Sequence, residues 1–179
     1  MNLHTLLQAR ATEGRPVRAG LIGAGKFGSM FLSQIPSTPG LEVTLIADLS
    51  PDRAKQACRA VGWKEDRITA TRFIDDGRPL CASDDVDVVI DATGSPAAGV
   101  VHALAAIENG KHVVMVNVEA DVLAGPALSR RARGAGVVYS MAYGDQPALI
   151  AEMSIGRGQR VFGFKQPARE PNICLPTIR

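Results

Sequence analysis

The chain has 179 residues, 46% of them apolar and 21% charged, and a net charge of +2. That length fits about one domain, and the small charge argues against nucleic acid or an anionic membrane as the main partner. No apolar run reaches the roughly 18 residues that a membrane-spanning helix needs. Cys58, Cys81 and Cys174 lack C-x-x-C spacing, and no pair among His4, His102 and His112 has metal-ligand spacing. Neither a disulfide framework nor a zinc site is expected, and free thiols point to a reducing, cytoplasmic setting.

Residues 1–16 read as a short helical segment with Leu3, Leu6 and Leu7 on one face, and not as a secretory signal, since no basic stretch precedes an apolar core. Apolar strands then alternate with helical patterns. "VRAGLI" (17–22) is a strand, and 27–35 is a helix with Phe27, Met30, Phe31 and Ile35 at helical spacing and Pro36 as its stop. "LEVTLIAD" (41–48) is a second strand. Residues 50–62 form a helix capped by Ser50, with Pro51 at its first position and Gly62 at its end. The stretch 63–85 is polar and mixed, with a short strand expected near 68–70. "VDVVIDAT" (86–93) is a strand, 95–110 a helix stopped by Asn109-Gly110, and "KHVVMVN" (111–117) a strand. Residues 118–136 are helical, interrupted or restarted at Gly125-Pro126. A sixth strand follows at 137–144, and Asp145 caps a helix over 145–153. Continuous apolar strands between helices predict a doubly wound, parallel α/β sheet of Rossmann type.

The chemistry lies in "GLIGAGKFG" (20–28), where Gly23, Gly25 and Gly28 have G-x-G-x-x-G spacing between a strand and a helix. In that context the motif is a dinucleotide clasp. Gly23 permits the tight turn, Gly25 lets backbone approach a pyrophosphate, and Gly28 lets helix and strand pack closely. Ala24, Lys26 and Phe27 complete the loop, whose helix directs free N–H groups and its positive end at the phosphates. Asp48 follows Gly28 by 20 residues. An acid there hydrogen-bonds the ribose hydroxyls and favours NAD, whereas Arg53 could meet a 2′-phosphate or could be a solvated helix residue, so NAD and NADP both remain open.

Two more loops lie where an open α/β sheet binds its ligand. Thr93, Gly94 and Ser95 follow the fourth strand and could line the nicotinamide ribose. Asn117 and Glu119 follow the fifth strand, near the expected nicotinamide; each of these polar residues also suits a helix cap. No catalytic residue and no metal ligand is assigned. Ser95 and Ser140 have no visible base partner, and the basic stretch 129–136 suits a solvated helix C-terminus.

Three strings, "VRAGLIGAGKFGSMFLSQI", "VDVVIDATGSPAAGVVHALAAIENGKHVVMVNVEADVLAGPAL" and "GVVYSMAYGDQPALIAEM", resemble the N-terminal domain of homoserine-dehydrogenase-like oxidoreductases. The similarity is to the group that carries a C-terminal SAF-type domain. Some members of that group are DXR-like reductoisomerases, which make methylerythritol phosphate from deoxyxylulose phosphate with NADPH. The resemblance covers about residues 1–153. It implies a small sugar-type or hydroxy-acid substrate, NADPH as cofactor, and a later domain that binds substrate and supplies proton chemistry; it allows a homo-oligomer.

Residues 154–179 break from this pattern. Residues 1–153 hold 15 Lys+Arg and 17 Asp+Glu, whereas 154–179 hold five Lys+Arg and one acid, Glu170, with three prolines and no helical or strand period. The expected organisation is therefore a helical segment at 1–16, an NAD(P)-binding Rossmann domain at 17–153, and an irregular tail at 154–179 produced by a frameshift or truncation. On this reading the chain binds the cofactor without turning over substrate alone. The alternative is a stand-alone NAD(P)-binding sensor or partner subunit. A domain for another nucleotide or an S-adenosyl group is disfavoured by Asp48 and the third glycine.

Overall fold

The structure is a computed structural model that describes residues 3–141. The expected helix at 145–153, the tail and Cys174 lie outside the described residues.

Apolar side chains alternate along each strand, so the sheet needs cover on both faces. The chain supplies it by alternating strand and helix. The order is α1 (Leu3–Thr12), β1 (Val17–Ile22), α2 (Lys26–Gln34), β2 (Leu41–Ala47), α3 (Pro51–Ala60), α4 (Glu65–Ala70), β3 (Arg72–Ile74), α5 (Gly77–Cys81), β4 (Val88–Asp91), α6 (Pro96–Glu108), β5 (His112–Met115), α7 (Val118–Gly134) and β6 (Tyr139–Met141). All neighbouring strands pair in parallel, in the order β3-β2-β1-β4-β5-β6. The strand order reverses direction between β1 and β4, which is where such a sheet opens a crevice at its C-terminal edge.

Period-two alternation divides the core. Leu21, Ile46 and Ile90 pack with Leu32 of α2 and Ala54 and Cys58 of α3. Their neighbours Ile22, Leu45 and Val89 pack on the other face with Leu80 and Cys81 of α5, Ala103 and Ala106 of α6, and Leu128 of α7. Trp63 is buried, and its indole N–H donates to the Leu32 carbonyl at 2.8 Å, closing the end of the first cluster. The doubly wound sheet expected from the sequence is therefore the fold.

Several local expectations change. The strand expected near 68–70 is instead α4, with Glu65 and Asp66 in its first turn and Ile68 buried; β3 starts at Arg72. Acidic residues suit a helix start, and an ion pair from Arg59 to Glu65 at 2.6 Å ties the helix to α3. The break expected at Gly125-Pro126 does not occur, and α7 runs through Pro126. Val122, whose carbonyl loses its N–H partner to the proline ring, is 79% exposed, and Pro126 is also exposed, so water can solvate the freed carbonyl. The core face of α2 is Gly28, Leu32 and, just past its end, Ile35, while Phe27 and Met30 face solvent. On α1, Leu6 is exposed and Leu7 half-buried, so the two do not share one buried face.

Candidate functional site

The turn from β1 into α2 is built on Gly23, Gly25 and Gly28, and each glycine has a separate reason. Gly23 has φ +93°, and a Cβ there would lie 2.9 Å from the Ala92 carbonyl oxygen. A Cβ on Gly28 would strike the Gly23 carbonyl oxygen, so only glycine lets α2 pack this close to β1. Gly25 is different, because nothing lies within 4 Å of the position its Cβ would take. It is also the N-cap of α2, and no side chain caps that helix. The helix N-terminus therefore faces open space with its backbone donors uncapped, an arrangement that suits an anion.

Asp48 supports this loop from beneath. It directly follows β2, with its side chain 3% exposed. Its Oδ2 accepts from the Ala24 N–H at 2.9 Å, and its Oδ1 accepts from the Ser50 N–H at 3.0 Å and from Arg53 Nη2 at 2.8 Å. Burial alone would push the carboxyl pKa up, but the backbone N–H bonds and the Arg53 guanidinium outweigh it and hold the carboxyl below its usual range. The Arg53 side chain is 64% exposed. Ser50, one turn before it, caps α3 as expected.

A cleft of about 220 Å³ opens over these residues. It is lined by Gly23, Gly25, Asp48, Leu49, Arg53, Asp75, Gly77, Thr93 and Gly94, with the ends of β1 and β2 as its floor. A larger hollow of about 600 Å³ lies around Trp63, Lys64, Asp66 and Arg67. The smaller cleft is the better candidate, because strand C-termini and an uncapped helix N-terminus converge there.

The wall beyond β4 is built from buried polar groups. Asp91, 1% exposed, accepts from the Thr93 N–H at 3.0 Å and from Thr93 Oγ1 at 2.7 Å, both at Oδ1. Its Oδ2 lies 2.7 Å from His102 Nδ1. Asn117 Nδ2 donates to Thr93 Oγ1 at 3.2 Å and to the Ser95 carbonyl at 2.9 Å. The same Asn117 caps α7 through Ala120, and Ser95 caps α6 through Ala98.

Of the residues expected from sequence, Gly23, Gly25, Asp48, Arg53, Thr93 and Gly94 meet in the cleft. Ala24 and Gly28 are buried behind it, and Ser95 and Asn117 brace its β4 wall. Lys26, Phe27 and Glu119 are exposed and are not among the lining residues. Sequence reasoning missed Asp91 and His102. Asp91 closes an apolar strand, and His102 lies 11 residues on, inside α6 and in no recognisable motif. The signal that could have found them is a carboxylate inside an otherwise apolar parallel strand, which needs a buried partner.

The residues from Val17 to Ala142 match the oxidoreductase family with an NAD-binding Rossmann fold. The chain belongs to this family. Among curated relatives, a homoserine dehydrogenase from Neisseria gonorrhoeae is 33% identical over 112 residues, covering 58% of this chain and 23% of that protein. A glycosyl hydrolase family 109 protein from Saccharopolyspora erythraea is 35% identical over 54% of this chain and 21% of its own length. The chain thus spans about a fifth of the length of these relatives. An NAD binding oxidoreductase from Klebsiella pneumoniae superimposes with a TM-score of 0.58 at 26% identity, over 80% of this chain and 39% of that one. A homoserine dehydrogenase from Thiobacillus denitrificans shares the fold at TM-score 0.61 and 20% identity, over 70% of this chain and 29% of that one. The described residues are an NAD-binding Rossmann oxidoreductase domain that resembles part of homoserine dehydrogenase. No helix among them is long and apolar enough to cross a membrane.

Proposed function

We propose that the cleft holds NADPH in preference to NADH, for hydride exchange with a small sugar-type or hydroxy-acid substrate. The observation that carries the cofactor site is the open space at Gly25 against the uncapped start of α2. The pyrophosphate would sit there, Ala24 to Gly28 would cradle it, and the two halves of the dinucleotide would lie over β2 and β4. Asp48 and Arg53 would then face the adenosine ribose, and Thr93, Gly94 and, behind them, Ser95 and Asn117 the nicotinamide ribose. Lys26 and Phe27 at the start of α2, and Glu119 in the first turn of α7, flank these positions. The bound cofactor would supply the hydride.

Arg53 supports the phosphate preference. Both Asp48 oxygens already accept protein donors, while the guanidinium is mostly exposed at the rim. A 2′-phosphate would meet a planar cation there. Related 3-ketoreductase and biliverdin reductase structures contain NADP. Substrate binding and proton transfer are proposed to need residues outside 3–141, so the described domain alone would bind without turnover. Free, buried Cys58 and Cys81 fit a reducing compartment.

The test is titration of the purified chain with NADPH and NADH, followed by protein fluorescence, beside Gly25→Val. The wild type should bind, and Gly25→Val should lose binding by at least about a hundredfold, since a branched side chain would fill the cradle. Unchanged affinity in Gly25→Val would rule out this placement of the pyrophosphate.

A further inference from the structure

We propose that the buried Asp91–His102 pair is a positioning device for the nicotinamide-side wall, fixing the Thr93–Ser95 loop before the cofactor arrives. The proposal rests on the cofactor site proposed above. Neither residue belongs to the glycine clasp, and neither touches the open cleft as a lining residue.

The geometry starts with Asp91. Its carboxylate ends β4 at 1% exposure, where an unpartnered charge would be costly. One oxygen takes both donors of Thr93, the backbone N–H and the hydroxyl. Using both fixes the backbone turn and the χ1 of the same residue. With its hydrogen committed to Asp91, Thr93 Oγ1 is left as an acceptor, and Asn117 Nδ2 fills that role. Asn117 also ties down the Ser95 carbonyl. The cleft-lining Thr93 and the Ser95 that follows Gly94 are therefore both held from below.

His102 holds the other end. A carboxylate only accepts, so Nδ1 carries the hydrogen toward Asp91 Oδ2. The imidazole is 12% exposed and is itself clamped. A Cβ on Gly77 would lie 2.7 Å from Nε2 and 3.0 Å from both adjacent ring carbons, so the ring rests against the Gly77 backbone. The Cys81 thiol contacts the His102 carbonyl at 3.4 Å. Gly77 and Thr93 both line the cleft, one after β3 and one after β4. His102 thus stands beneath the cleft and joins its two walls through one ring. A buried polar network of this kind is worthwhile only when fully satisfied, and no buried side-chain polar atom among the described residues lacks a partner.

A positioning role can be separated from a generic structural one by splitting the cofactor. ADP carries the adenosine and pyrophosphate but neither the nicotinamide nor its ribose. Affinities of wild type, His102→Leu, His102→Asn and Thr93→Val for NADPH, NADH and ADP would be measured by calorimetry, with a thermal melt of each variant. His102→Leu and Thr93→Val should weaken dinucleotide binding about tenfold, the size expected for a lost charge-assisted hydrogen bond. Their affinity for ADP should stay within about twofold, since the glycine loop and Asp48 are untouched. His102→Asn places an amide nitrogen where Nδ1 stood and should restore most of the lost dinucleotide affinity. Equal losses for ADP and dinucleotide, or no rescue by His102→Asn, would overturn the positioning role. So would unchanged dinucleotide binding in His102→Leu. Failure of the wild type to bind either dinucleotide would instead overturn the cofactor site itself.

Discussion

Two aspartates end the strands on either side of β1, and they do different work with the same chemistry. Asp48 directly follows β2, and Asp91 is the last residue of β4. Each is a buried carboxylate that collects backbone and side-chain donors. Asp48 has an exposed arginine as its ionic partner, whereas Asp91 has a nearly buried histidine. The β2 wall is thus half open to water, with an exposed cation paired to Asp48 at its rim. The β4 wall is sealed, and its charge is spent on holding a loop. A cleft that must read one end of a ligand and fix the other end in place has use for both.

The comparison is most exposed to test in stability. Asp91→Ala should cost about 3 kcal/mol, because Thr93 and His102 would lose a buried acceptor that water cannot readily replace. Asp48→Ala should cost only about 1 kcal/mol, because its donors lie beside an open cleft and can be rehydrated. Urea denaturation of both variants measures the difference; equal costs would erase the distinction between sealed and open walls.

A smaller effect should appear in ligand choice. Arg53→Ala should weaken NADPH binding about tenfold, as for loss of one charge-assisted phosphate contact, and change NADH binding by less than about twofold. Parallel titrations settle it, and an equal loss for both would make Arg53 a structural partner of Asp48 only.

The two halves also differ in their thiols. Burial pushes the Cys58 thiol up to about 11 and the Cys81 thiol up to about 12, the latter also raised by Asp91 and Asp76. In a Cys174→Ser background, an aromatic disulfide reagent at pH 8 should label neither thiol quickly in the native state, and Cys81 more slowly than Cys58. Peptide mapping of the labelled sites reads the order, and faster labelling of Cys81 would mean that the β4 half is the more open one.

The smallest effect concerns acid. Asp48 is held below its ordinary value in the fold, so its contribution to stability is complete above about pH 4 and declines as pH falls toward the folded value. Melting temperatures between pH 6 and 3 should fall less steeply in Asp48→Asn than in wild type. A parallel slope would show that Asp48 binds its donors no better as a carboxylate than as an amide.

The sequence made one side of this comparison legible and hid the other. Three glycines, a strand before them and an acid 20 residues later are local spacing signals; Gly23, Gly25 and Asp48 line the candidate cleft, and Gly28 is buried behind it. Parallel strands read as apolar runs because both faces are covered, so the sheet itself was visible. Asp91 and His102 meet only because α6 folds back over β4, and a tertiary contact of that kind leaves no periodic trace. The misplaced third strand has a similar cause: Ile68 and Thr69 have strand character, but Glu65, Asp66 and the Arg59 ion pair favour a helix turn there. Pro126 misled because the Val122 carbonyl it frees is exposed to water, which lowers the cost of carrying the helix through it.

The most direct test of the cofactor cleft is a backbone-amide NMR titration of this 18.9 kDa chain with NADPH. The cleft assignment predicts the largest, saturable shifts at Ala24 to Phe27, at Leu49 and Arg53, and at Thr93 to Ser95. Shifts centred instead on Trp63 to Arg67, around the larger hollow, would contradict it.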